Sequence, residues 1–185
     1  TSGLSTAGNL VIEDQTTGAI TAVSGAIGAS NALNSITVDI TTNDVTFGGA
    51  VSATTITVTG DDSAQDAIFQ GDVTGAIVID TDAVINLAAD IKVVGSVATN
   101  TDGAGTLDFD TATADTTLVS GAVGASGGNA LEEVIVNTGA GVTSTFGGTV
   151  DADTVTLSGT GSVIFQDTVT ADTKFDFTGA LSVTF

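Results

Sequence analysis

The sequence predicts an all-β protein built as a parallel β-helix, a β-solenoid with rungs of about 20 residues. Three observations point there: a phenylalanine-anchored motif that recurs at rung spacing, apolar residues that alternate with polar ones, and a complete lack of proline.

The motif comes first because internal repetition decides architecture. FGGAVSA from Phe47, FQGDVTG from Phe69, FGGTVDA from Phe146 and FQDTVTA from Phe165 share one pattern. Each sets a Phe, three small or polar residues, a Val, and a small residue two further on. After Phe47 and Phe146 the pattern runs on in equal spacing, to Ile56 and Val58 and to Val155 and Leu157. After Phe69 it reaches Ile77 and Ile79 one residue sooner, and after Phe165 it reaches Phe175 and Phe177 one residue later. Phe47 and Phe69 are 22 residues apart, Phe146 and Phe165 are 19 apart, and Phe165 and Phe185 are 20 apart. That is the length of one solenoid coil, in which each coil lays its strands on the one before. Phe47, Phe69, Phe146 and Phe165 are therefore expected to form one aromatic stack, each pair contributing about 0.5–1.5 kcal/mol beyond area burial.

A longer duplication overlies the short one. SGAIGASNALNSITV from Ser24 returns as SGAVGASGGNALEEVIV from Ser120, 96 residues on, and a TFGG turn follows both. This gives duplicated blocks of about 24–95 and 120–185 within one solenoid spanning 1–185. The closing VTF also opens the earlier VTFGG at Val45, so the segment is expected to belong to a longer repetitive chain. The rival architecture is two tandem β-sandwich domains of about 95 residues, which the duplication alone would permit. Recurrence of the Phe motif within each block favours the solenoid.

Alternation is clean inside the rungs. Ile36, Val38 and Ile40 are separated by Thr37 and Asp39, and Phe175 and Phe177 flank Asp176. A period of two buries one face of a strand and wets the other. GNALEEVIV from Gly128 is the one stretch read as able to hold a short helical turn. The 24 glycines fall at the ends of the alternating runs, where corners are needed. Proline removes a ladder donor, and its absence suits strands bonded on both edges.

Composition narrows the function. Apolar residues make up 42% of the 185, enough β-branched material to bury strands, so this is not a disordered acidic tail. The net charge is −20, from 22 acids against Lys92 and Lys174. Such a polyanion repels phosphate backbones and anionic lipid surfaces, which excludes nucleic-acid partners and acidic membranes. No apolar run approaches the roughly 18 residues of a membrane span, so no membrane insertion is expected. Thr1 opens the chain with no charged and apolar leader, and an export signal is expected to have been removed or to lie outside the segment.

There is no His, Cys or Tyr. Ser-His-Asp and Cys-His machinery, His-ligated metals and arginine clamps are excluded by inventory, and the chain is not expected to be an enzyme. Paired acids remain: Asp80 with Asp82, Asp108 with Asp110, and Asp151 with Asp153. A glycosidase-like mechanism lacks the aromatic platforms that sugar cleavage usually needs. A calcium reading is open, since residues two apart on a strand project from one face and two carboxylates there can share a hard cation. The competing reading is a solvated strand face. Carboxylates one rung apart repel by only about 1 kcal/mol in water. No other cofactor is expected. Thr55, Thr57 and Thr59, with Thr154 and Thr156, present the Thr-x-Thr pattern of an ice-binding solenoid, although Thr is also an ordinary outward strand residue.

A solenoid ends in open strand edges, and neither TSGLSTAG nor LSVTF reads as a cap. End-to-end self-association, into a filament, fibre or surface layer (S-layer), is the expected partner mode.

GAIGASNALNSITV, VTFGGAVSATTITVTG and TNTDGAGTLDF resemble the passenger-region repeats of large bacterial autotransporter-type surface proteins, especially rickettsial-type surface antigens. The resemblance implies a right-handed parallel β-helix displayed on the cell exterior, in adhesion or as a surface coat. It also carries the alternative of an adhesin stalk, whose cell-surface or glycan ligand is met by other regions of the protein. The acidity exceeds what that family leads one to expect, and a marine or halophilic bacterial source explains it as well.

Overall fold

The structure, a computed structural model, describes residues 8–13, 21–40, 43–125 and 128–185. The opening TSGLSTAG lies outside the described residues except for Gly8. The chain folds as a β-solenoid of about seven turns at about 21 residues per turn, with no helix among the described residues. GNALEEVIV, read as a possible helical turn, instead leads into the strand Leu131–Thr138. Leu131, Val134 and Val136 are buried there, and β-branched residues at a period of two fit a pleat better than a helix.

Each coil contributes to three parallel ladders. The first runs through Leu10, Ile36, Ile56, Ile77, Val97, Val123, Val150 and Val169. The second runs through Val23, Phe47, Phe69, Leu87, Phe109, Val136, Leu157 and Phe177. The third runs through Ile27, Val51, Val73, Val93, Val119, Phe146 and Phe165. Their inward side chains meet in one core that extends through both duplicated blocks. The ladder does not break between the blocks, since Leu107 pairs with Val134 and Val97 with Val123. Two separate sandwiches are thereby ruled out.

The single aromatic stack expected from the motif is instead two. Phe47 and Phe69 stack on the second ladder with ring centroids 4.8 Å apart. Phe146, Phe165 and Phe185 stack on the third, at 5.2 and 5.6 Å. Phe109 joins the two ladders across the core, edge to face with Phe146 at 5.8 Å. From Phe47 to Phe146 the chain makes four full turns and then advances one more face, through Phe69, Leu87, Phe109 and Val136. The duplicated block is thus rotated by one face about the solenoid axis.

Glycine permits the tight corners. A Cβ on Gly71 would lie 2.6 Å from the backbone of Gly49 and Ala50, and one on Gly148 would lie 2.5 Å from that of Gly121. No side chain fits between stacked corners at those separations, which is why the motif carries Gly two residues after Phe146 and after Phe69.

Candidate functional site

The acids are the residues with chemistry to offer, and several of them sit at corners. Six aspartates accept hydrogen bonds from backbone N–H groups of the following coil. Asp44 takes the amide of Asp66 at 3.0 Å, Asp72 that of Lys92 at 3.2 Å, and Asp82 that of Gly105 at 2.8 Å. Asp102 takes that of Ala130 at 3.0 Å and Asp115 that of Thr143 at 2.7 Å. Asp90 takes two, from Thr113 at 2.7 Å and Ala114 at 2.8 Å, and the Thr113 hydroxyl as well. These bonds hold the Asp90 carboxyl below the usual carboxylate range. Corners interrupt the strand ladder, and a short carboxylate reaching one coil onward satisfies donors the ladder leaves out. This is a physical reason for Asp over Glu that composition alone did not disclose. Its faint sequence signal is an Asp placed directly before an alternating run, as in Asp44-Val45 and Asp72-Val73.

The three predicted acid pairs fare differently. Asp80 and Asp82 straddle a corner, because Thr81 between them has φ of 67° and breaks the strand alternation. Asp80 accepts from the Asn100 amide at 3.3 Å while Asp82 serves the amide of Gly105, so the two carboxylates are separately engaged. Asp108 and Asp110 do share an outward face, on the strand Thr106–Ala112. Burial, followed by the charges of Asp110, Asp66 and Glu133, raises the Asp108 carboxyl above its ordinary value. Asp66 is raised too, by burial and then by Asp44.

Asp151 and Asp153 sit at an irregularity, where the register to the next coil shifts between Ala152 and Thr154. Val150, Asp151 and Ala152 are all buried in succession. Asp151 is 5% exposed. Burial raises its carboxyl, with Asp172, Asp102 and Asp153 adding to the effect in that order. Among the described residues, no three acidic side chains are gathered closely enough to hold a metal ion among themselves.

Comparison with protein-family models, with curated proteins and with solved structures finds no match to this chain.

Two further features were not legible in the sequence. Thr138 and Ser144 are buried, and the Thr138 hydroxyl donates to Ser144 Oγ at 3.2 Å across a corner. The outward threonines form no long columns. Thr57 is flanked in register by Thr37 and Val78, Thr55 by Ser35 and Ala76, and Thr156 by Ile135 and Asp176.

Proposed function

We propose that the chain is a non-catalytic structural element of the bacterial cell exterior, extended into a filament, fibre or surface layer by stacking of solenoid ends. One observation carries this reading. Three parallel ladders run coil upon coil around a single apolar core, and each coil meets the next through the same backbone ladder and the same inward side chains. A stack whose coils all join in one way is extended by any further coil, of the same chain or of a second copy, with no new kind of contact. The net charge of −20 supports a salty or cation-rich exterior, where screening weakens repulsion between stacked acidic units.

An ice-binding role needs a flat, regular threonine array, and the interrupted columns do not favour it. An adhesin stalk would share the rod and differ in remaining a single rod.

Sedimentation and negative-stain imaging over a concentration series test the proposal. Rods that lengthen with concentration and salt are expected. Monodisperse single rods at every concentration and salt level would contradict end stacking and leave the stalk.

A further inference from the structure

The six corner aspartates that take amides of the following coil differ in the residue that comes next. Val45, Val73, Ala83, Ile91 and Thr116 follow Asp44, Asp72, Asp82, Asp90 and Asp115, and Asp102 alone stands before a glycine. A side chain on the following residue hinders its backbone nitrogen from approaching the aspartyl carboxyl. Gly103 offers no such obstacle. The corner asks for that glycine, because Gly103 has φ of 68° and a Cβ there would meet Oδ2 of Asp153 at 3.0 Å. Asp102 itself is exposed to water.

Two hydrogen bonds restrain this pair. The Gly103 N–H donates to the Ala130 carbonyl at 2.9 Å, and the Asp102 carboxylate accepts from the Ala130 N–H at 3.0 Å. Both partners belong to one buried residue, 28 positions further along the chain in the second block. While this clasp is closed, the nitrogen and the carboxyl are each held on Ala130 and not on one another. A single local opening frees both.

We propose that Asp102–Gly103 is a self-modification site, where the chain converts aspartate to isoaspartate when the Ala130 clasp opens. The Gly103 nitrogen attacks Cγ of the protonated Asp102 carboxyl. The N–Cγ bond forms, the carboxyl hydroxyl leaves as water with the amide proton, and a succinimide ring results. Water then opens the ring. Breaking the N–Cγ bond restores aspartate, whereas breaking the original peptide bond leaves isoaspartate, with the main chain running through Cβ and Cγ. The old backbone carbonyl becomes the free carboxylate. The water lost is regained, so no further reactant enters and the mass is unchanged. The added methylene lengthens the corner and carries the carboxylate away from the Ala130 N–H, so the clasp no longer closes as before. The ladders beside it, with Leu107 on Val134 and Val97 on Val123, keep the coils stacked and confine the change to this corner. The site stands whether or not the solenoid ends associate.

The test incubates the whole chain at neutral pH in water enriched in heavy oxygen, both in native buffer and in denaturant above the unfolding transition. Each ring opening leaves a heavy oxygen at residue 102, which peptide mass mapping locates. Asp102 should take up label ahead of the other aspartates in both states. Two hydrogen bonds of ordinary net strength should make uptake about 10–100-fold slower in the native chain. Asp102→Asn keeps an acceptor for the Ala130 amide and forms the same ring with loss of ammonia, so it should show the same ratio between the two states. In the isomerised chain, hydrogen exchange at the Ala130 amide should quicken. Equal rates in native and unfolded chains would overturn the clasp as the restraint. Label appearing first at another aspartate of the native chain would overturn the site, as would a native chain still unlabelled at residue 102 after about a hundred unfolded half-times.

Discussion

Phe47–Val58 and Phe146–Leu157 carry the same motif in the same spacing, yet they occupy different faces of the coil. In the first, Phe47 is on the second ladder, Val51 on the third, and Ile56 and Val58 on the first. In the second, Phe146 is on the third, Val150 on the first, and Val155 and Leu157 on the second. The unit that duplicates is therefore one face with its corner, and the three faces are interchangeable. Each asks for an inward apolar side chain of moderate size, an outward polar one and a corner whose backbone can pass close to its neighbours. Where the copies differ, they mark what the fold leaves free. Ile40 and Val45 of the first block correspond to Thr138 and Ser144 of the second, an apolar pair of positions against a hydrogen-bonded one.

Interchangeable faces make equal demands on the anchoring aromatics. Phe47→Ala and Phe146→Ala should each cost about 3–5 kcal/mol in denaturant unfolding, as buried Phe truncations do. A neutral result at one of them would show that the faces are not equivalent. The polar pair gives a smaller and sharper contrast. Thr138→Val or Ser144→Ala alone leaves a buried hydroxyl without its partner and should cost about 1–3 kcal/mol. The double variant should recover most of that loss, because the first block fills the same positions with apolar side chains. A double variant that loses the sum of the single effects would separate the two blocks.

The smallest expected effect is on pH dependence. Asp66, Asp108 and Asp151 have carboxyls raised in the folded state. They bind protons more tightly folded than unfolded, so stability should rise as pH falls from neutral through their raised values. Asp90 acts oppositely: its contribution is present above the ordinary value of 3.8 and is lost as pH falls through its lowered folded value. A thermal-melting series should therefore peak on the acid side of neutral and decline below about pH 4. A peak at or above neutrality would mean that these raised acids are compensated.

Much of this fold was legible in the sequence because alternation and rung length are local properties. Phe47, Phe69, Phe146 and Phe165 were expected inside, and all four are buried. Which ladder each joins was not legible, since face assignment accumulates from corner lengths along the chain. Val73 to Val93 is a coil of 20 residues, whereas Val93 to Val119 takes 26 and Val119 to Phe146 takes 27. Those extra corner residues leave the alternation untouched and shift the later motif to another face. The acids were misgrouped for a related reason. Spacing of two implies a shared face on a straight strand, but Thr81 turns a corner between Asp80 and Asp82, and the backbone donors that engage Asp82 and Asp102 lie a whole coil onward.

The rotated duplication can be tested by disulfide trapping, since the chain has no cysteine of its own. Asp108 is in register with Ile135 on the second ladder, while Thr145 lies outward on the third, paired with Ile164. Neighbouring parallel strands are about 4.8 Å apart, within the Cα separation of about 4.4–6.8 Å that a disulfide spans. The double variant Asp108→Cys with Ile135→Cys should oxidise to an intramolecular disulfide, detected by mass after proteolysis, and Asp108→Cys with Thr145→Cys should stay reduced. Efficient bridging of positions 108 and 145, with 108 and 135 unlinked, would put Phe109 and Phe146 on one ladder and contradict the rotation.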